Sequence, residues 1–316
     1  MGGHHHHGPG HDHGHGHAHG HGHGAPGATH GSAFAIAVSL NLVFVVAEGV
    51  AGLVSGSLAL LADAGHNLGD VLSLLLAWGA SVLASRPPSA RFTYGLKSSS
   101  ILAALANATL LWVALGAILI ETIRRFADPE PVAGLAMTLV AALGILVNGL
   151  SALLFARGSK SDLNLRAAFQ HLIADAAVSG GVVVAGLLIM ATGWTWIDPV
   201  ASLVITAVIA IGSWGLLRDS VKLGLLGVPE GIDGGAVRAF LAGQPGVGAV
   251  HDLHIWPMST TETALTAHLV MPGGHPGDAF LHHLAHELDH DFGIGHATIQ
   301  VETAHEACAL HADEVV

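Results

Sequence analysis

The chain has 316 residues, 51% of them apolar and only 11% charged, with a mean hydropathy of +0.59. Soluble domains carry about 25% charged residues, so this composition excludes a wholly soluble protein. With His neutral the formal charge is −12, from 11 basic and 23 acidic residues, which argues against a nucleic-acid binder with a basic footprint.

Residues 1–31 form a His/Gly-rich segment with twelve histidines and no apolar periodicity, so disorder is expected there. It lacks the charged start and apolar core of a secretory signal. Neutral imidazoles in such a string hold Zn²⁺ weakly and raise its local concentration. The run at 4–7 also has the pattern of an expression tag, whereas the His-Gly alternation over 11–23 does not.

A bilayer core of about 30 Å needs roughly 20 apolar residues per helix, and six stretches answer to this. They are 33–54, 58–83, 101–123, 132–155, 165–190 and 196–217, within a transmembrane domain over 32–226. Backbone groups cannot go unpaired in lipid, so an all-α bundle of six helices is predicted. Ser55-Gly-Ser, Arg86-Pro-Pro, Asp128-Pro-Glu-Pro, Arg157-Gly-Ser-Lys and Gly193-Trp-Thr-Trp read as the turns between them. Arg86, Arg91, Lys97, Arg157, Lys160, Arg166, Arg218 and Lys222 fall on the side of both termini, against Arg124 and Arg125 on the other. The positive-inside rule therefore puts both termini in the cytoplasm.

Beyond the last span the pattern is that of a small α+β domain over 227–303, followed by a flexible tail over 304–316. Residues 232–244 read as a helix, 247–255 and 262–271 as strands, 278–292 as a helix and 297–302 as a strand, in the order α-β-β-α-β. Residues 229–316 hold twelve acidic residues and one basic one, Arg238, an excess that attracts cations. At this size, dimerisation or bound metal would help the domain to fold. The single cysteine, Cys308, excludes an intramolecular disulfide and leaves a soft thiol ligand.

Ionisable groups inside the spans carry the chemistry, because a charge near the bilayer centre costs at least about 2.5–3.5 kcal/mol. The second span contains Asp63, His66 and Asp70, and the fifth contains His171 and Asp175. Each thus carries a His-x-x-x-Asp pair, and a spacing of four puts both side chains on one helix face. Helices two and five run antiparallel in this topology, so the faces can oppose. Two imidazoles and two carboxylates make a tetrahedral set suited to Zn²⁺, with Co²⁺ and Cd²⁺ as competitors. The bland alternative is an ion pair or hydrogen bonds that hold the bundle together. Asp63 and Glu48 read as ligands at an entrance, as proton carriers or as packing groups. Asn41, Asn107 and Asn148 read as interhelical hydrogen bonders.

In the soluble domain His251 and His268 sit on neighbouring strands and Glu302 ends the last one. His296, His305, Cys308 and His311 cluster around that strand, and His282, His283, His286 and His290 decorate a helix. Each alone reads as surface; together they point to at least one metal site.

The chain resembles the cation diffusion facilitators, in their zinc-transporting His/Asp branch, from about residue 32 to 302. The resemblance is carried by Gly56-Ser-Leu-Ala-Leu-Leu-Ala-Asp-Ala-Gly-His66-Asn-Leu-Gly-Asp70, by Tyr94-Gly, and by Ile101-Leu-Ala-Ala-Leu. It continues through Asn164-Leu-Arg-Ala-Ala-Phe-Gln-His171-Leu-Ile-Ala-Asp175, Asp198-Pro, Gly227-Val-Pro-Glu-Gly-Ile and Val250-His-Asp-Leu-His-Ile-Trp256. It implies a homodimer with a metallochaperone-like cytoplasmic domain that exports Zn²⁺, commonly against H⁺. It also implies that His66, Asp70, His171 and Asp175 are the transport ligands, and that His251, His268, Glu302 and His296 are regulatory ones. Relatives often have a basic and an acidic residue where this chain has Ser98, Ser99 and Ser100, which weakens any charge interlock expected from that loop. Gln300 stands where some relatives have His.

The reading is a proton-coupled Zn²⁺ efflux transporter, not an enzyme, working by alternating access in a bacterial-type plasma membrane. A membrane zinc sensor and a passive metal channel are its rivals. The sequence shows no second constellation that would handle an enzyme's substrate.

Overall fold

The computed structural model describes residues 31–156 and 163–303. Six long helices come first, α1 (Gly31–Ser55), α2 (Leu58–Ala84), α3 (Ser99–Ala127), α4 (Gly134–Ala156), α5 (Leu163–Thr192) and α6 (Ile197–Gly224). Five of them are long and apolar enough to cross a membrane, and α1 carries the shorter apolar run Leu42–Ser55. At 1.5 Å per residue the 27 residues of α2 span about 40 Å, more than a bilayer core. The protein is an integral membrane protein with the predicted helical bundle. Its interior is small and close-packed, centred on Leu60, Met137 and Val182, while Trp78, Leu102 and Ile211 face outward as lipid-facing side chains do.

α1 turns into α2 at Gly56, whose φ of +68° only Gly adopts without strain. Ser57 caps α2 by accepting from the Leu60 N–H. A second cap comes from α6, where the buried Asp198 carboxylate accepts from Ser57 Oγ (2.6 Å) and from the N–H groups of Leu58 (2.8 Å) and Ala59 (3.3 Å). Arg125, near the end of α3, stands 3.8 Å from Asp198, pairs with Glu130 at 3.2 Å and donates to the Gly56 carbonyl. Arg124 pairs with Glu121 at 3.0 Å. The two arginines that dissent in the charge count are therefore already neutralised by local acids.

The second part runs α7 (Gly234–Ala242), β1 (Ala249–Pro257), β2 (Thr263–Val270), α8 (Asp278–Phe292) and β3 (His296–Glu302), the α-β-β-α-β order read from the sequence. α7 starts two residues later than predicted because Asp233 is its cap, accepting from the Gly235 N–H at 2.8 Å. The sheet order is β1-β2-β3, with β1 and β2 antiparallel and β3 parallel to β2 through the α8 crossover. One sheet face, with Ile255, Leu265 and Leu269, packs on Val237 and Leu241 of α7 and on Leu284 and Leu288 of α8.

The two parts meet at the loop between α2 and α3. Lys97 pairs with Glu262, Ser98 Oγ donates to the Met258 carbonyl (3.1 Å), and Ser100 Oγ accepts from the Thr260 N–H (3.1 Å). The serine run that weakened the expected charge interlock grips the β1–β2 turn by hydrogen bonds, with an ion pair from the residue before it.

Candidate metal centre

α2 and α5 lie antiparallel, so the first member of each His-x-x-x-Asp pair meets the second member of the other. His66 Nε2 stands 3.8 Å from Asp70 Oδ2 and 3.6 Å from Asp175 Oδ1. His171 Nε2 stands 3.2 Å from Asp70 Oδ2 and 3.5 Å from Asp175 Oδ2. In a tetrahedral site with bonds of about 2.0–2.2 Å, neighbouring donors stand about 3.3–3.6 Å apart. The imidazoles meet edge to face, their centroids 6.1 Å apart. One donor each from His66, Asp70 and Asp175 lies within 4.8 Å of the other two.

Exposure grades across this ring. The side chains of His171 and Asp70 are 48% and 37% exposed, whereas those of His66 and Asp175 are 20% and 4% exposed. The open pair lies nearer the end of α2 that leads to the junction with the α-β-β-α-β part. One helical turn from His66, on the closed side, Asp63 and Glu48 are fully buried. Asn67 Nδ2 donates to Glu48 (3.2 Å) and Ser179 Oγ donates to Asp63 (2.9 Å). Neither carboxyl belongs to the four-donor ring. Asn107 does join two helices, bonding Ser73, whereas the buried Asn148 amide has no hydrogen-bond partner among the described residues.

The second cluster lies on the polar face of the sheet. His251 Nε2 contacts Glu302 Oε2 at 2.9 Å, and His268 Nδ1 contacts Glu302 Oε1 at 3.0 Å. His251 and His268 are cross-strand partners with ring centroids 5.0 Å apart. Sequence reasoning missed two neighbours. Asp252 lies 3.3 Å from His268 Nε2 and 2.9 Å from His254 Nε2. Strand alternation puts His254 on the face opposite His251, but a β-bulge between them, with Asp252 at φ +49°, returns it to the same face. Gln300 also joins the cluster, donating to Glu302 at 3.1 Å.

The remaining predicted ligands are not brought to it. His296 opens β3, six residues and about 20 Å from Glu302, and packs edge-on against Tyr94 at 5.5 Å. His282 and His283 lie on α8, where His283 stands 3.7 Å from Glu287. On the same helix the Asp291 carboxylate pushes the His290 pKa up, favouring the protonated ring that binds no metal. His305, Cys308, His311 and the histidines of 4–30 lie outside the described residues.

Residues 34–223 match the cation efflux transmembrane domain, and residues 229–304 match the cytoplasmic domain of cation efflux proteins. The chain is 40% identical over 261 residues to the zinc transporter ZitB of Escherichia coli (strain K12), covering 82% of this chain and 83% of that one. It is 36% identical over 265 residues to the cadmium, cobalt and zinc/H(+)-K(+) antiporter of Bacillus subtilis (strain 168), covering 82% and 85%. It is 36% identical over 280 residues to the metal cation efflux system protein CzcD of Cupriavidus metallidurans, covering 88% of each. With both domains matched in order and the relatives aligned over most of their length, the chain belongs to the cation efflux family, the cation diffusion facilitators, and is a transporter rather than an enzyme.

Proposed function

We propose that the protein exports Zn²⁺ from the cytoplasm in exchange for protons, by alternating access at His66, Asp70, His171 and Asp175. The observation that carries this is that each of two imidazole nitrogens stands 3.2–3.8 Å from a carboxylate oxygen of each of two aspartates, inside a membrane bundle. Its mixed donors suit Zn²⁺ ahead of Mg²⁺ or Mn²⁺, with Cd²⁺ and Co²⁺ next, and the relatives are named for these three metals.

Zn²⁺ needs neutral imidazole and ionised carboxylate, so metal and proton compete for one set of atoms. Apparent zinc affinity therefore falls as pH falls. In the geometry described, the more exposed His171 and Asp70 admit cargo from the side of the cytoplasmic domain. Facing the other way, the site trades zinc for protons and carries them back. The Bacillus relative's name includes H⁺.

The working unit is a homodimer in a bacterial-type plasma membrane, both termini cytoplasmic, with the transmembrane domain at 32–226 and the cytoplasmic one at 227–303. His251, His268 and Glu302 hold regulatory zinc, which offsets the acidic excess of the cytoplasmic domain.

The test is zinc uptake into proteoliposomes under an imposed pH gradient, for the native chain, Asp70→Ala and Asp175→Ala. Saturable, gradient-sensitive uptake abolished by either substitution is expected. Uptake that ignores the gradient removes the exchange; uptake that survives both substitutions makes the ring structural.

A further inference from the structure

Glu48 of α1 and Asp63 of α2 are fully buried neighbours: Glu48 accepts from Asn67, which stands one helical turn from Asp63 on the same face of α2. Each keeps one buried oxygen, Glu48 Oε1 and Asp63 Oδ1, that receives no donor among the described residues. Their other oxygens are satisfied, by Asn67 for Glu48 and by Ser179 for Asp63. Two neighbouring carboxylates away from solvent do not both stay ionised unless a cation stands close by, and each of these two has a buried oxygen that lacks a donor. One proton held by the pair removes a charge and supplies a missing donor.

We propose that Glu48 and Asp63 form a proton-binding site, separate from the four metal donors, that is loaded when the transport site is empty and discharged when a divalent cation enters it. Asp63 precedes His66 by three residues, about 4.5 Å of helix rise, close enough for the dication's field to act on the pair. The other ionisable groups that face the pair are His66 on α2 and Asp175 on α5. α4, which packs on α1 and α5, contributes no ionisable side chain. With the proton in place the pair carries one negative charge, and without it two, so discharge offsets the incoming cation. This deepens the proton-exchange reading and rests on it only for the pair's use in transport.

Glu48→Gln and Asp63→Asn replace a proton-bearing carboxyl by an amide that donates in the same place. In each, the pair keeps one negative charge but has no proton to give. The experiment counts protons released per zinc bound, with a pH indicator in weakly buffered solution, for the full-length native protein and both variants. Protons from the histidine-rich segment and the cytoplasmic cluster are common to all three. Each variant is expected to bind zinc and to release about one proton fewer per zinc than native. An unchanged count in either variant overturns the proposal. Infrared difference spectra of the native protein give an answer that needs no variant, through the carbonyl stretch of a neutral carboxylic acid. That band is expected in the metal-free protein at neutral pH and is lost on zinc addition; its absence also overturns the site. If the counts differ as expected while zinc uptake ignores a pH gradient, the site stands and the exchange reading fails.

Discussion

His251 and His254 point from the same face of the cytoplasmic sheet although they stand three residues apart, because β1 holds an extra residue between them and Asp252 takes φ +49°. That conformation is open to Gly, tolerable for Asp and closed to β-branched side chains. Asp252→Gly is therefore expected to keep the bulge while losing the contacts to His254 and His268. Asp252→Val loses both, at about 1–3 kcal/mol of local strain. Hydrogen exchange over residues 249–270 of the full-length protein checks this: near-native protection in the Gly variant and lost protection in the Val variant. Equal protection in the two would show that the bulge does not depend on Asp252.

The same strand shows where sequence reasoning stops. A spacing of four on a 3.6-residue helix fixes a shared face, so the convergence of His66, Asp70, His171 and Asp175 is legible without coordinates. A spacing of three on a strand gives the wrong face for His254, because one residue's φ overrides alternation. His296 is misplaced for a related reason: nearness in sequence to Glu302 becomes distance once the segment is extended. The Asp198 cap on α2 joins residues 141 apart, and no local pattern announces it.

That cap supports a second prediction. Asp198 receives Ser57 Oγ and two backbone N–H groups and lies beside Arg125, whose side chain is only 10% exposed. Asp198→Ala leaves the buried start of α2 short of a cap and takes one acid from Arg125, which keeps Glu130 and Glu121, a loss of about 1–3 kcal/mol. Asp198→Asn keeps an acceptor and should lose less. Thermal unfolding in detergent should rank native above Asn above Ala. Adding Arg125→Ala to Asp198→Ala should cost less than Arg125→Ala alone, since the two share one interaction. Strict additivity would show that they do not.

Ligand chemistry gives a third. His66→Asp with His171→Asp converts the ring to four carboxylates, an oxygen-only set that favours harder cations. The ratio of Zn²⁺ to Mn²⁺ affinity should fall, and competition dialysis of the full-length protein measures it. An unchanged ratio would mean that the imidazoles do not contact the metal.

Gly144 on α4 offers the last prediction, since it holds α5, the helix of His171 and Asp175, at close range. A Cβ there would stand 2.9 Å from Ser179 Oγ and 2.8 Å from the tip of the Phe44 ring. Ser179 is the residue that donates to Asp63, so an added methyl group presses on a hydrogen bond one helical turn from His66. The Phe44 ring end can swing aside, whereas Ser179 is fully buried and must break its bond or move α5. Gly144→Ala is thus expected to cost about 1–3 kcal/mol through overpacking and to slow zinc uptake. Ser179→Ala removes the hydroxyl that clashes, at its own cost of an unpaired Asp63 oxygen, about 1–3 kcal/mol. In that background Gly144→Ala should cost distinctly less than in the native chain, because contact at Ser179 is the reason for the cost. Thermal unfolding of the four proteins in this cycle decides the matter: equal losses in both backgrounds would place the strain at Phe44 instead.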